Sequence, residues 1–204
     1  MGIFVLFPIL ISAQSLTFHK VMWAVAHPFV AKKVYTISKE AQRAAFQMAK
    51  TDSLDRDAVG GQVDAYRHIY WMALLVQEIA PRKARRLGEI HEKDNFRDFK
   101  KRRNEDGILP DSVSGNMDLL NNEIGIAIGL QIKDSSRTFI SQTVVERIRQ
   151  GEAWIIKKNH KGTFLTCNGY EISIAEYKGI WGIPKCLIPS NETPPKNNAP
   201  DSCK

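Results

Sequence analysis

Four side chains on one helical face restrict this chain more than any other feature. Asp64, Arg67, His68 and Trp71 stand at offsets 0, 3, 4 and 7, and at about 100° per residue those positions share one face of an α-helix. The same segment carries Leu74, Leu75 and Ile79 and is therefore expected to be buried. A buried acid, guanidinium and imidazole must find partners. Asp118, Asn121, Asn122 and Gly125 repeat the same offsets, and His91 and Glu92 lie between the two in another stretch of helical pattern. The economical fold sets two polar-faced helices against each other.

The rest of the pattern is read around that pairing. From Phe18 to about Lys50 apolar residues recur at helical steps, and Pro28 divides the stretch into a helix ending near His27 and a second one starting at the proline. Residues 51–61 are rich in turn formers and end in Gly60 and Gly61. The helix bearing Asp64 then runs to Ile79, and Pro81 opens the next, over about 81–95, with Ala84, Leu87, Gly88 and His91 on one side. The charged run 94–107 reads as a loop. A further helix over about 114–132 has Asp111, Ser112 or Ser114 as its cap, and Gly125 and Gly129 give it a smooth strip for close packing. Another covers about 136–150 and stops at Gly151. Beyond it, residues 154–159 and 163–167 around a turn at His160, Lys161 and Gly162 predict a β-hairpin. The expected fold is mainly α: a single helical bundle-like domain of about five or six helices with a small C-terminal β-hairpin.

A chain of 204 residues suits one well-cored domain. The expected organisation is a signal peptide at 1–13, a helical domain at 18–151, the hairpin at 152–188 and a disordered tail at 189–204. Residues 3–13 form an apolar run ending in small residues, too short to span a bilayer as a helix. Export to the periplasm or outside the cell is the corresponding expectation, with no transmembrane span. Cys167, Cys186 and Cys203 all lie in the last quarter. In an exported protein Cys167 with Cys186 would staple the hairpin region, while Cys203 could stay free or pair instead of either. The absence of Cys-x-x-Cys, of a phosphate-binding Gly-x-x-x-x-Gly-Lys-Ser/Thr loop and of Gly-x-Ser-x-Gly excludes a zinc ribbon and the corresponding nucleotide and serine hydrolases. The net charge is +7. Residues 82–103 hold ten Lys or Arg against four acids, a solvated loop or a patch for an anionic surface such as nucleic acid or acidic lipid.

Three chemistries fit the polar faces. His68 and His91 with Asp64, Asp118 or Glu92 offer the ligand mixture that a divalent metal such as zinc accepts, the metal set being His68, His91, Asp64 and Asp118. Alternatively Asp64 or Asp118 orients an imidazole that activates water in a hydrolase-like reaction on an unknown small or polymeric substrate, while Arg67 holds an anionic group. The catalytic candidates are Asp64, Arg67, His68, His91, Glu92, Asp118, Asn121 and Asn122. The non-catalytic alternative is a binding or scaffolding module in which the same groups satisfy one another and fix helix register.

The combination Asp64-x-x-Arg67-His68-x-x-Trp71, His91-Glu92 and Asp118-x-x-Asn121-Asn122-x-x-Gly125 resembles an uncharacterised family of bacterial helical domains. These occur in exported proteins and at the ends of larger toxin-like or cell-surface proteins. The similar region spans about residues 26–132. The resemblance implies that these residues form one site, and it implies no particular reaction.

Overall fold

A computed structural model describes residues 18–104 and 107–192. The expected signal peptide and residues 193–204 of the expected tail lie outside the described residues. Six α-helices, α1 (Phe18–Ala26), α2 (Pro28–Met48), α3 (Gln62–Glu78), α4 (Pro81–Lys100), α5 (Ser112–Gln131) and α6 (Arg137–Arg149), precede two short strands, β1 (Trp154–Ile156) and β2 (Leu187–Pro189). The protein is mainly α with a small antiparallel sheet near its C-terminus. Among the described residues no helix is long and apolar enough to cross a membrane.

Local chemistry sets the boundaries. Pro28 and Pro81 sit in the first turns of α2 and α4, where a missing N–H costs no helical hydrogen bond. The Asp111 side chain accepts from the amides of Val113 and Ser114 to cap α5, and Ser136 caps α6 through Phe139. Helix α3 is the axis. Ala65, Ile69, Met72, Ala73, Leu74 and Leu75 are fully buried, so apolar contact surrounds the helix rather than lining one stripe of it. Each large side chain among them contributes about 1.5–3 kcal/mol by leaving water.

Helices α3 and α5 approach until their backbones touch. A Cβ on Gly125 would lie 2.3 Å from the Ile69 carbonyl oxygen, and one on Gly129 would lie 2.6 Å from that of Ala73. The two glycines therefore permit the helix pairing that the repeated polar offsets require.

Two local expectations are corrected. Residues 94–100, read as a loop, continue α4, because Asp94 and Asn95 are buried and Phe96 and Phe99 pack their rings on Trp181 at 5.0 and 4.9 Å. Much of the basic 82–103 segment is thus a helix surface, with Arg85 bonded through two nitrogens to Glu123 and Arg86 to Glu89. The ladder of β1 is with β2, Ile155 standing opposite Ile188, rather than with 163–167. The tight turn after Asn159 does form, closed by the bridge between Lys158 and Phe164. The Cys186 amide, however, donates to Leu165 while its carbonyl accepts from Lys157, and this brings the distant strand to β1. Cys167 and Cys186 are joined by a disulfide. Ser190 is fully buried, with its hydroxyl donating to the Ile148 carbonyl at 2.6 Å.

Candidate functional site

The interior position of α3 carries its polar face into the protein. Asp64 is held at both carboxylate oxygens: Oδ2 accepts from the Gly60 amide at 2.7 Å and Oδ1 from Arg67 Nη2 at 2.7 Å. Gly60 makes its bond from a backbone with φ +81°, a conformation glycine adopts at little cost. The same Arg67 nitrogen lies 3.2 Å from His68 Nε2. Since a guanidinium can only donate, Nε2 accepts and the neutral ring carries its proton on Nδ1. Across the helix interface, Asp118 of α5 brings Oδ1 to 3.4 Å from the same Nε2. Asp64, His68 and Asp118 each offer one ligand-type atom, all within 4.8 Å of one another.

Both histidines are held neutral. Burial lowers the pKa of His68 well below the ordinary imidazole value, the Arg67 charge lowers it further, and the neighbouring Asn122 amide opposes them. Nevertheless His68 Nδ1 and both polar atoms of the Asn122 amide lack hydrogen-bond geometry to any partner among the described residues. The amide is near enough to act on the ring as a hydrogen-bond partner of poor geometry. His91 is shifted down first by burial, then by Lys20, His68 and Arg67. Its ring centre is 6.0 Å from that of His68, and Lys20 Nζ of α1 lies 3.5 Å from its Nδ1.

Of the residues expected at the site, Asp64, Arg67, His68, Asp118 and Asn122 meet in one buried cluster, with His91 beside it. Asn121 does not join them. Its amide makes two bonds to the Trp154 backbone, at 2.8 and 3.0 Å, and ties β1 to α5. Glu92 lies along the first turn of α5 near Gly115 and accepts from Asn95 at 3.2 Å. Trp71 anchors its indole N–H on Ser38 Oγ at 2.9 Å, and its ring meets His91 edge-on.

Arg67 lines two cavities. One, about 140 Å³, lies between α1, α2, α3 and α4 and also has His68, His91, Trp23, Trp71 and Lys20 on its walls. The other, about 40 Å³, is more polar and has Asp64, Asp118, Asn95 and Ser114 on its walls. Lys20 and Trp23 were not among the residues expected from sequence. They lie on α1, outside the repeated offsets, and only the packing of that helix over α4 brings them to the site.

As a metal centre the cluster has a competitor for its cation. The Asp64, His68 and Asp118 donors suit a divalent ion, but the Arg67 guanidinium already sits among them and would have to leave. His91 contributes to the cavity wall rather than to that three-residue group.

The chain belongs to the family described as a domain of unknown function (DUF6973), which it matches over residues 21–152. That span contains every residue of the cluster and ends just before β1. No curated protein and no solved structure matches the chain.

Proposed function

We propose that the cluster is a metal-free acid–base site of a hydrolase-like enzyme, with His68 as the group that moves the proton and Arg67 as the anchor for an anionic substrate. The observation that carries this reading is the incomplete satisfaction of the cluster at a cavity wall. A purely structural network gains by closing every hydrogen bond, since each orphaned buried group costs about 1–3 kcal/mol. Here no hydrogen bond of good geometry closes on His68 Nδ1 or on the Asn122 amide, which stand only as weak partners of each other, while the imidazole lines a cavity.

The chemistry follows from the contacts. Arg67 masks the Nε2 lone pair. An anionic group that draws the guanidinium towards itself frees Nε2 to take a proton from water, whose oxygen attacks the substrate. The imidazolium so formed is stabilised by Asp118 and Asp64, 3.4 and 3.7 Å away, and returns the proton to the leaving group. Because His68 stays neutral well below the ordinary imidazole pKa, the base is in its active form throughout the neutral range.

The test is hydrolysis of a panel of anionic nitrophenyl esters and phosphates by wild type and by His68→Gln. Loss of about 10²–10⁴ in kcat with an unchanged fold is expected. Hydrolysis that survives the substitution, or none on the panel, refutes the assignment. The close set of Asp64, His68 and Asp118 favours a divalent metal centre as the second reading. Stoichiometric metal in the purified protein, lost in Asp118→Asn, would replace the first reading with it.

A further inference from the structure

We propose that the 140 Å³ cavity between α1, α2, α3 and α4 binds a small amphipathic oxyanion, with a phenyl-sized apolar body in the pocket and its carboxylate or phosphate against Arg67 and Lys20. This deepens the acid–base reading and rests on it for the direction in which the charged group faces.

Size sets the apolar part. A cavity of about 150 Å³ in an apolar interior accepts a benzene ring, so this one admits a ring or a chain of about six carbons. The space exists because Ala24, Ala31 and Ala41 stand where larger side chains would fill it. Trp23 and Trp71 supply flat aromatic walls. Trp23 is itself buried, and its indole Nε1 has no hydrogen-bond partner among the described residues.

Charge sets the polar part. Lys20, Lys39 and Arg67 line the cavity, and among the described residues no carboxylate does. Both histidines on the wall are held neutral by burial, so the charged groups on the wall itself are the three cations. Lys20 has Asp94 Oδ2 at 4.0 Å, Lys39 bonds to the neutral Gln42, and Arg67 is engaged by Asp64 at the far side. A cationic ligand would meet repulsion here.

Titration calorimetry with phenyl phosphate and phenylacetate as whole probes, and inorganic phosphate and benzyl alcohol as their halves, tests this. At least one whole probe should bind at least tenfold more tightly than either half, and Ala41→Leu, which fills the cavity, should weaken it at least tenfold. Ala31→Leu serves the same purpose should Ala41→Leu fail to fold. Binding of phosphate alone as tightly as the whole probe, equal binding of benzyl alcohol, indifference to the filling substitution, or no binding overturns the proposal. His68→Gln separates the two readings. Binding of a whole probe in the absence of any His68-dependent hydrolysis removes the catalytic assignment and keeps this one. Hydrolysis that depends on His68, without binding of either probe, does the reverse.

Discussion

At the scale of single residues, the two buried imidazoles make a prediction independent of any substrate. Their folded pKa values lie below the unfolded value of 6.5. Between those limits the unfolded chain binds more protons than the folded one, so the stability involved is fully present above 6.5 and is lost as pH falls towards the folded values. Each histidine contributes a slope of about 1.4 kcal/mol per pH unit in that window. Stability to urea should therefore fall as pH drops below 6.5, and His68→Gln should lose about half of the slope. A stability flat across the window would show that both rings accept a proton without penalty. The membership of the cluster was largely legible in the sequence. Period 3.6 places Asp64, Arg67 and His68 on one face, and the echoed offsets pair them with Asp118 and Asn122. Periodicity does not say which neighbour a side chain meets, and so it could not separate Asn121, which turns to β1, from Asn122, which turns to His68.

At the scale of elements, the site exists because α5 can lie directly on α3. The positions that permit this are glycines, and the neighbouring atoms are backbone. Gly125→Ala places a methyl group 2.3 Å from the Ile69 carbonyl oxygen, and a helix backbone cannot rotate aside as a side chain can. Overpacking of this kind costs about 1–3 kcal/mol and would part the helices where Asp118 faces His68. Denaturation should show the loss of stability, and the histidine-dependent pH slope should shrink in the same variant as water reaches the rings. A Gly125→Ala protein as stable as wild type would mean that the two helices pack less closely than described. The glycine strip was readable from its spacing of four. The length of α4 was not, because Trp181, which holds Phe96 and Phe99, comes from a distant segment with no regular pattern of its own.

At the scale of the molecule, the C-terminal segment after residue 152 lies outside the family match yet is fastened to the helical core at several points. Asn121 holds Trp154, Ser190 reaches the end of α6, and Lys185 enters the start of α5. This last contact is the most exacting. Lys185 Nζ donates to Asp111 Oδ2 at 2.6 Å with both side chains almost wholly buried, and its charge rests against the Phe164 ring. Burial lowers the Lys185 pKa and Asp111 opposes the shift, so each charge depends on the other for its tolerance of the interior. The Asp111 carboxylate also caps α5 and accepts from the Ser114 hydroxyl, which puts the clamp a short distance from Asp118 along the same helix. Lys185→Met leaves a buried carboxylate without its cation and should cost about 3–5 kcal/mol. Pairing it with Asp111→Asn keeps a capping side chain, removes the stranded charge, and should recover most of that loss. Urea unfolding of the two variants decides the matter. If the double variant is no more stable than the single one, the loss is not the penalty of a stranded charge, and the ion pair itself contributes net stability to holding the segment on the helices.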